Sequence, residues 1–528
     1  MNDPSTQCRR VGPWVTVALI LIALVIGTWF RFYQLDRKVY WIDEAYTSLR
    51  IAGYTLAEIK TERTPLDAQE WRRFHKVSTD RSFAQFRRAL LDDIHPPLYF
   101  IGARWWALWL GSSVWDVRCL SAAISLLAFP CLYWLCRELF DSRAVAWTAL
   151  VLLALSPFHV LYAQEARSYS LWMVTLLLSS AALLRALRVG SKLAWALYGV
   201  AIMLALYTHW LSVMLIPGHG LYVWMTSGER AGRTAVSFGL AVGLAAVGLA
   251  PWFAMMHRIP SPVFTRRAIP VVTFVERWLM NVSSVFFDPQ VGRPGVLFDV
   301  YGRDVGLRWT EPSTYVIALI AVLVVYALGA LYRETPRRVW MFVLVLIGVC
   351  VVFLGGPDLV RGGQRSTTGR FLTPAYIGIQ LAVAHCLAAR IKGIRESAGS
   401  RWAWRLVFAM LVSAGFLSCS VSSQAVAWWN KYESSYLPDV AGVINNSPSP
   451  LVLVGSPIPL LGLSYMVHPG VMLQLTESLF TPPPTRFADM FVYYPQQPQF
   501  AESLEARTGY RMTLVNAPAR FWRIERVD

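Results

Sequence analysis

The chain has 528 residues, 55% of them hydrophobic and only 15% charged, with 49 Lys and Arg against 32 Asp and Glu for a formal charge of +17. So little charge excludes an ordinary soluble protein, in which about a quarter of residues are charged. The basic excess would suit nucleic acid, an anionic membrane surface or an anionic substrate, but in a chain with many apolar blocks most of it reads as positive-inside topology signal, and no nucleic-acid partner is expected.

The apolar residues cluster in blocks of about 17 to 22, the length that crosses a hydrocarbon core about 30 Å thick. Eleven such blocks predict transmembrane helices at 14–30, 117–136, 144–161, 169–187, 193–209, 211–226, 234–250, 314–332, 338–355, 372–390 and 403–423. The first follows Arg9 and Arg10, exceeds a signal-peptide core and ends in Gly27-Thr28-Trp29-Phe30-Arg31 with no small-x-small cleavage site, so it is expected to be retained. Short basic connections at 137–143, 185–192, 230–233, 333–338 and 390–401 fall on the same side as Arg9 and Arg10. That side is the cytoplasm, and eleven crossings place the C-terminus outside. Block 96–111 is short, carries Arg104 and is rich in Trp105, Trp106 and Trp109. It is expected to lie on the outer membrane surface as a juxtamembrane helix.

Three large segments then lie outside, at 31–116, 251–313 and after 424. In the first, Trp71-Arg72-Arg73-Phe74-His75-Lys76 and on through Arg87-Arg88 reads as an amphipathic basic stretch resting on headgroups. The tail alternates apolar runs at 451–454, 471–475, 490–494, 510–515 and 521–527 with Pro- and Asn-containing turns, which predicts a small α/β domain. The expected architecture is therefore an all-α polytopic membrane domain, 1–423, plus a small extracytoplasmic α/β domain, 424–528. Cysteines at 8, 119, 131, 136, 350, 386 and 419 show no CxxC or metal-like spacing and read as small core residues without a disulfide framework.

Four outside segments gather ionisable groups at the depth of the membrane surface. Trp41-Ile42-Asp43-Glu44-Ala45-Tyr46 offers two adjacent carboxylates that could accept a proton or hold a divalent cation, although a solvated acidic turn looks the same. In Asp92-Asp93-Ile94-His95-Pro96-Pro97-Leu98-Tyr99 the prolines separate two helices and hold His95 at the corner. The turn Ser156-Pro157 through Gln164-Glu165-Ala166-Arg167-Ser168-Tyr169 packs an acid and an arginine two residues apart, where a Glu165–Arg167 salt bridge is the competing account. Arg361, Arg365 and Arg370, ahead of Pro374 and Tyr376, present planar forks that match phosphate oxygens or lipid headgroups. All four fall on one face, whereas chance would scatter them on both.

Their order resembles the lipid-dependent glycosyltransferases of the GT-C fold, particularly bacterial relatives of the protein O-mannosyltransferases and of the lipid A aminoarabinose transferase. Asp43-Glu44 matches the acidic pair of that family's first extracytoplasmic loop, and His95 to Tyr99 matches its His-Pro-Pro-Leu-Tyr segment. Ser156-Pro157 with Gln164 to Tyr169 matches its Glu/Arg turn, and Arg370 to Pro374 the start of a late helix. The likeness covers residues 10–425 and is densest before 210; the tail matches no pattern in the family. It implies a bacterial inner-membrane enzyme that transfers a monosaccharide, with inversion, from a polyprenyl-phosphate donor to a lipid, glycan or protein hydroxyl. Asp43 would be the general base, with Glu44 and Glu165 as its catalytic companions. His95, Tyr99, Arg167, Tyr169 and Arg370 would contact the donor or its phosphate. A divalent cation, Mg or Mn, on Asp43, Glu44, His95 and Glu165 is the alternative to an arginine cluster as the source of positive charge. There is no P-loop and no GxGxxG after a strand, so no nucleotide site is expected. Two other readings use the same segments: a transferase or polymerase of lipid-linked oligosaccharides, and a transporter or flippase of lipid-linked glycans. The spans are largely free of acids and show no repeated halves, which disfavours transport.

Overall fold

The computed structural model describes residues 13–92, 95–256, 269–293, 298, 306–393, 396–476, 487, 489–495 and 510–526. Cys8, Arg9, Arg10 and Asp93 lie outside the described residues. Every one of the eleven apolar blocks is helical. Among the described residues, eight helices are long and apolar enough to cross a membrane, and a ninth crossing results if Arg143–Ala154 and Pro157–Ala163 form one span bent by 59°. The bend is caused by Pro157, which starts the second helix and has no N–H with which to continue the first. The blocks at 193–209 and 211–226 are built from shorter helices. They form the 17-residue helix Lys192–Thr208 and a 3-10 turn, Trp210–Met214, leading into Leu215–Thr226. His209 breaks the first of these by adopting an extended conformation and accepting the Leu211 N–H on Nδ1 at 3.3 Å.

Two helices form the bundle interior. The apolar windows within Tyr169–Val189 and Gly369–Lys392 are 78% and 89% buried, whereas those of the first and last long helices are mostly exposed, as a lipid-facing surface requires. The broken helix is packed from both sides through glycine. A Cβ on Gly27 would strike the Ala154 carbonyl, and one on Gly415 would strike the Leu155 carbonyl. Close backbone approach of this kind is how membrane helices gain contact without a hydrophobic driving force. Arg31 completes the joint. Fully buried, it donates to the carbonyls of Leu153 at 3.0 Å and Ala154 at 2.8 Å in the last turn of the first half of the broken helix.

Outside the bundle, the five apolar runs of the tail form strands β2 (Pro450–Val454), β3 (Met472–Leu475), β4 (Asp489–Tyr493), β5 (Tyr510–Asn516) and β6 (Phe521–Arg526), joined by the two-residue β1 (Leu66–Asp67) from the first loop. The sheet order is β1-β3-β2-β4-β6-β5. β2 runs parallel to β3 and β4, and the other pairs are antiparallel. One apolar core spans both contributions, with Leu49, Trp71 and Phe74 of the first loop packed among Val452, Leu461 and Phe521 of the tail. The stretch from Trp71 to His75 is therefore not laid on headgroups. The Trp71 indole donates to Leu473 O at 3.0 Å, Arg72 Nε donates to Ser464 O at 2.8 Å, and His75 is buried and stacked on Tyr465. An amphipathic pattern fits a protein face as well as a membrane, and here the tail supplies that face. Arg87 and Arg88 do remain exposed. Helix Leu98–Leu110, of 13 residues, is too short to cross, and Arg104 donates to Ile51 O and Arg81 O, both at 2.6 Å, within the same loop. All six described cysteines are free.

The glycine joint makes a prediction. Gly415→Val should lower the melting temperature of the detergent-purified protein sharply, whereas Gly329→Val, where an added Cβ meets nothing, should leave it nearly unchanged. Equal melting temperatures would show that the close approach contributes little.

Candidate active site

Asp43 and Glu44 open the helix Ile42–Ala52, where their charges complement the N-terminal end of the helix dipole, and Gly53 in the left-handed conformation closes it. Adjacent positions on a helix point about 100° apart, so the two acids face different surroundings. Glu44 points inward and is fully buried. Arg118 grips it with Nε and Nη2, each 2.7 Å from a carboxylate oxygen, Lys431 Nζ lies 3.0 Å from Oε2, and the Ala166 N–H donates to Oε1 at 2.9 Å. Burial alone would raise this carboxyl, but the Arg118 and Lys431 charges and these hydrogen bonds hold it down at about 2. The remaining Arg118 donors go to the carbonyls of Leu35, Lys38 and Val39. Arg118 itself is placed by a capping box, Ser113 with Asp116, at the start of helix Val114–Leu126.

Asp43 is half-buried on the other side, and its carboxylate makes no hydrogen bond or ion pair among the described residues. Beside it, Arg167 Nη1 donates to the Asp43 carbonyl and to Thr47 Oγ1, both at 3.2 Å, and Nη2 lies 2.9 Å from His95 Nε2. Because a guanidinium can only donate, that contact makes His95 Nε2 the acceptor. His209 stacks on Trp172 at 4.1 Å behind this group and is kept neutral by burial and by the charges of Arg167 and Arg370. Arg370 packs over Trp41, Phe371 and Tyr432 at 5.4 to 5.8 Å. The turn that carries it is held by Asp358, which accepts from the Ser366 N–H at 2.7 Å, and by Trp278 and Asn281, which donate to Ser366 O and Thr367 O.

Glu165 is fully buried in the turn before Tyr169. Its ion partner is Lys431, 3.1 Å from Oε1, rather than Arg167, and the Asn430 amide donates to the same oxygen. Its second oxygen has no donor among the described residues. Burial raises the Glu165 carboxyl to about 7, with the neighbouring Glu44 charge adding to the rise and Lys431 opposing it. A small cavity of about 20 Å³ lies among Arg370, Tyr169, Phe158, Met173, Leu153 and Arg31.

The structure thus brings Asp43, His95, Arg167, Tyr169 and Arg370 into one cluster, with Glu44 and Glu165 behind them. Tyr99 stands apart, buried and bonded to Ser121 Oγ at 2.7 Å. The four residues considered as cation ligands do not form a donor set. Both Glu44 oxygens are occupied, and among the described residues no group of three or more His, Cys, Asp or Glu is arranged to hold a metal ion. Arg118, Lys431, Asn430 and His209 are site residues that the motifs do not include. Arg118 alone carried a signal, as a charge inside an apolar block, where burial demands a partner.

Residues 94–254 match the family described as dolichyl-phosphate-mannose-protein mannosyltransferase, a stretch that includes His95, Arg118, Glu165, Arg167 and His209. No curated protein sequence matches significantly. Among solved structures, ArnT from Cupriavidus metallidurans bound to undecaprenyl phosphate is similar over 97% of this chain and 98% of that one, at 13% identity and a TM-score of 0.53. Its apo form gives 96%, 97%, 14% and 0.52. Archaeal oligosaccharyltransferase AglB from Archaeoglobus fulgidus, in complex with an inhibitory peptide and a dolichol-phosphate, gives 87%, 64%, 13% and 0.47. The fold is that of the GT-C membrane glycosyltransferases. Within that class the stretch 94–254 is similar to the protein O-mannosyltransferase family, and the chain as a whole is similar in fold to ArnT.

Glu165 supplies a pH test. Its folded-state value near 7 lies above the ordinary 4.5, so the folded protein keeps a proton that the unfolded chain has released, and stability should fall as pH rises between those values. The melting temperature of Glu165→Gln, relative to the unsubstituted protein, should therefore climb from pH 4.5 to 7. His75, lowered by burial to about 3, contributes the opposite slope but is present in both proteins. Lys38, lowered by burial and by Arg118 and Lys431 to about 7, acts only above this window. A constant difference across the window would refute the assignment.

Proposed function

We propose that this protein transfers a monosaccharide from a polyprenyl-phosphate donor to an acceptor hydroxyl at the extracytoplasmic face of the bacterial inner membrane, inverting the anomeric carbon, with Asp43 as general base. The observation that carries this reading is the division between the two acids. Glu44 is consumed by its partners, while Asp43 keeps an accessible carboxylate beside Arg167. A base must be free to take a proton, and only one of the pair is.

In this reading the donor phosphate meets Arg370 and Arg167, and its prenyl chain stays in the bilayer beside the helices. The acceptor oxygen bonds to the anomeric carbon as the carbon–phosphate oxygen bond breaks, and the hydroxyl proton passes to Asp43. The departing prenyl phosphate is already anionic, so it needs positive charge rather than a proton, and the two guanidinium groups supply it from fixed positions. His95 holds the Arg167 fork by accepting one of its N–H groups. Tyr169 lines the small cavity beside Arg370. Glu165, sealed behind Asn430 and Lys431, acts on the charges of this front rather than on substrate. The acceptor, whether lipid, glycan or peptide, is left to assay.

The decisive experiment supplies the purified protein in lipid with radiolabelled polyprenyl-phosphate hexoses and pentoses. The unsubstituted protein should release prenyl phosphate in an acceptor-dependent way, and Asp43→Asn should be slower by a factor of about 10² to 10⁴. Full activity in Asp43→Asn would remove Asp43 from its role, and donor movement without cleavage would favour a flippase. A chelator arm should leave the rate unchanged.

Orientation is tested separately. A membrane-impermeant maleimide on intact cells should label Arg63→Cys and Arg361→Cys above the unsubstituted blank, and Glu229→Cys only after permeabilisation. Labelling of Arg63→Cys and Glu229→Cys from the same side would overturn the topology.

A further inference from the structure

The chain leaving the last long helix, Ala398–Gln424, does not run straight to the sheet. It first crosses the buried side of the site as a short strap. Trp428 and Trp429 both donate their indole N–H to Asp288 Oδ2, at 2.9 and 2.8 Å, and the Trp429 backbone N–H donates to Gln290 Oε1 at 2.8 Å. Pinned there, the strap carries Asn430 onto Glu165 and Lys431 between Glu165 and Glu44.

Lys431 is 1% exposed. Burying an ammonium costs several kcal/mol before its partners offset it, and an apolar side chain of the same length would fill the space. Its neighbours explain the choice. Glu44 directly follows Asp43 on one helix, and Glu165 sits two residues before Arg167 in the turn. One nitrogen within 3.1 Å of both buried carboxylates therefore ties the helix that presents the proposed base to the turn that presents the arginine. Of the two acids, Arg118 pairs with Glu44 and not with Glu165 among the described residues, so Lys431 is what links them. Glu165 Oε2 and Asn430 Oδ1 are buried with no hydrogen-bond partner among the described residues, so Lys431 is the main charged contact that Glu165 has in this layer.

The geometry points to Lys431 as a positioning residue that sets the spacing between Asp43 and Arg167 by bridging Glu44 and Glu165 from the C-terminal strap. This rests on the reading of Asp43 as base. The test compares Lys431→Met, Lys431→Arg and the double variant Lys431→Met/Glu165→Gln with the unsubstituted full-length protein, by donor turnover and by hydrogen exchange of residues 42–46 and 164–168. Lys431→Met should lose about 100-fold in kcat with little change in KM, as expected for a displaced catalytic pair. It should also speed exchange in both segments, and Lys431→Arg should restore most of the rate. The double variant, which removes both members of the buried pair, should fold at least as well as Lys431→Met and remain slow. A folded Lys431→Met or double variant with normal turnover and unchanged exchange would overturn the proposal. If the unsubstituted protein cleaves no donor, the enzyme reading fails, while the exchange data still decide whether Lys431 joins the two segments.

Discussion

Everything at the outer end of this protein is organised around one buried carboxylate. Glu44 collects a bidentate guanidinium from a membrane helix, an ammonium from the C-terminal strap and a backbone N–H from the Glu165 turn, so four distant stretches of chain meet at two oxygen atoms. A buried charge is tolerable only when fully paired, and this one is. The same requirement makes the arrangement hard to vary. Removing any one contributor leaves a charge or a donor stranded in a dry interior, so segments hundreds of residues apart are committed to one geometry.

That commitment frees Asp43. The inner layer of Glu44, Arg118, Lys431 and Glu165 absorbs the cost of burying charge and holds position. The outer layer of Asp43, Arg167, His95 and Arg370 keeps the groups that substrate would meet. A site built this way enters a reaction with its dipoles and charges already oriented, which is the main source of electrostatic rate enhancement.

Local hydropathy was enough to find the long apolar helices and the five apolar runs of the tail, because burial in lipid or in a sheet core imposes a period and a length that a sequence displays directly. The front-layer residues were legible for another reason: polar groups at membrane depth are rare enough to stand out. What stayed hidden depends on long-range pairing. Lys431 follows two tryptophans in a stretch without a motif, and only the fold shows that it reaches Glu44 across 387 residues. The resemblance singled out Asp43 of the Asp-Glu pair as base, but adjacency alone says nothing about which acid faces inward. Trp71 to His75 looked like a membrane-surface segment because its partner surface lies some 400 residues later.

The two-residue strand Leu66–Asp67 closes the edge of a sheet whose other strands all come from beyond residue 449. During synthesis the first loop therefore emerges long before its neighbours exist, and it must wait, with Trp71 and Phe74 uncovered, until nearly the whole chain has been made. The ammonium that joins the two halves of the site arrives in the same late stretch. The molecule thus cannot hold a finished site while it is still being built. Assembly of the catalytic front becomes a checkpoint on completeness: a chain stopped short in the membrane has its helices but not the geometry they were meant to support.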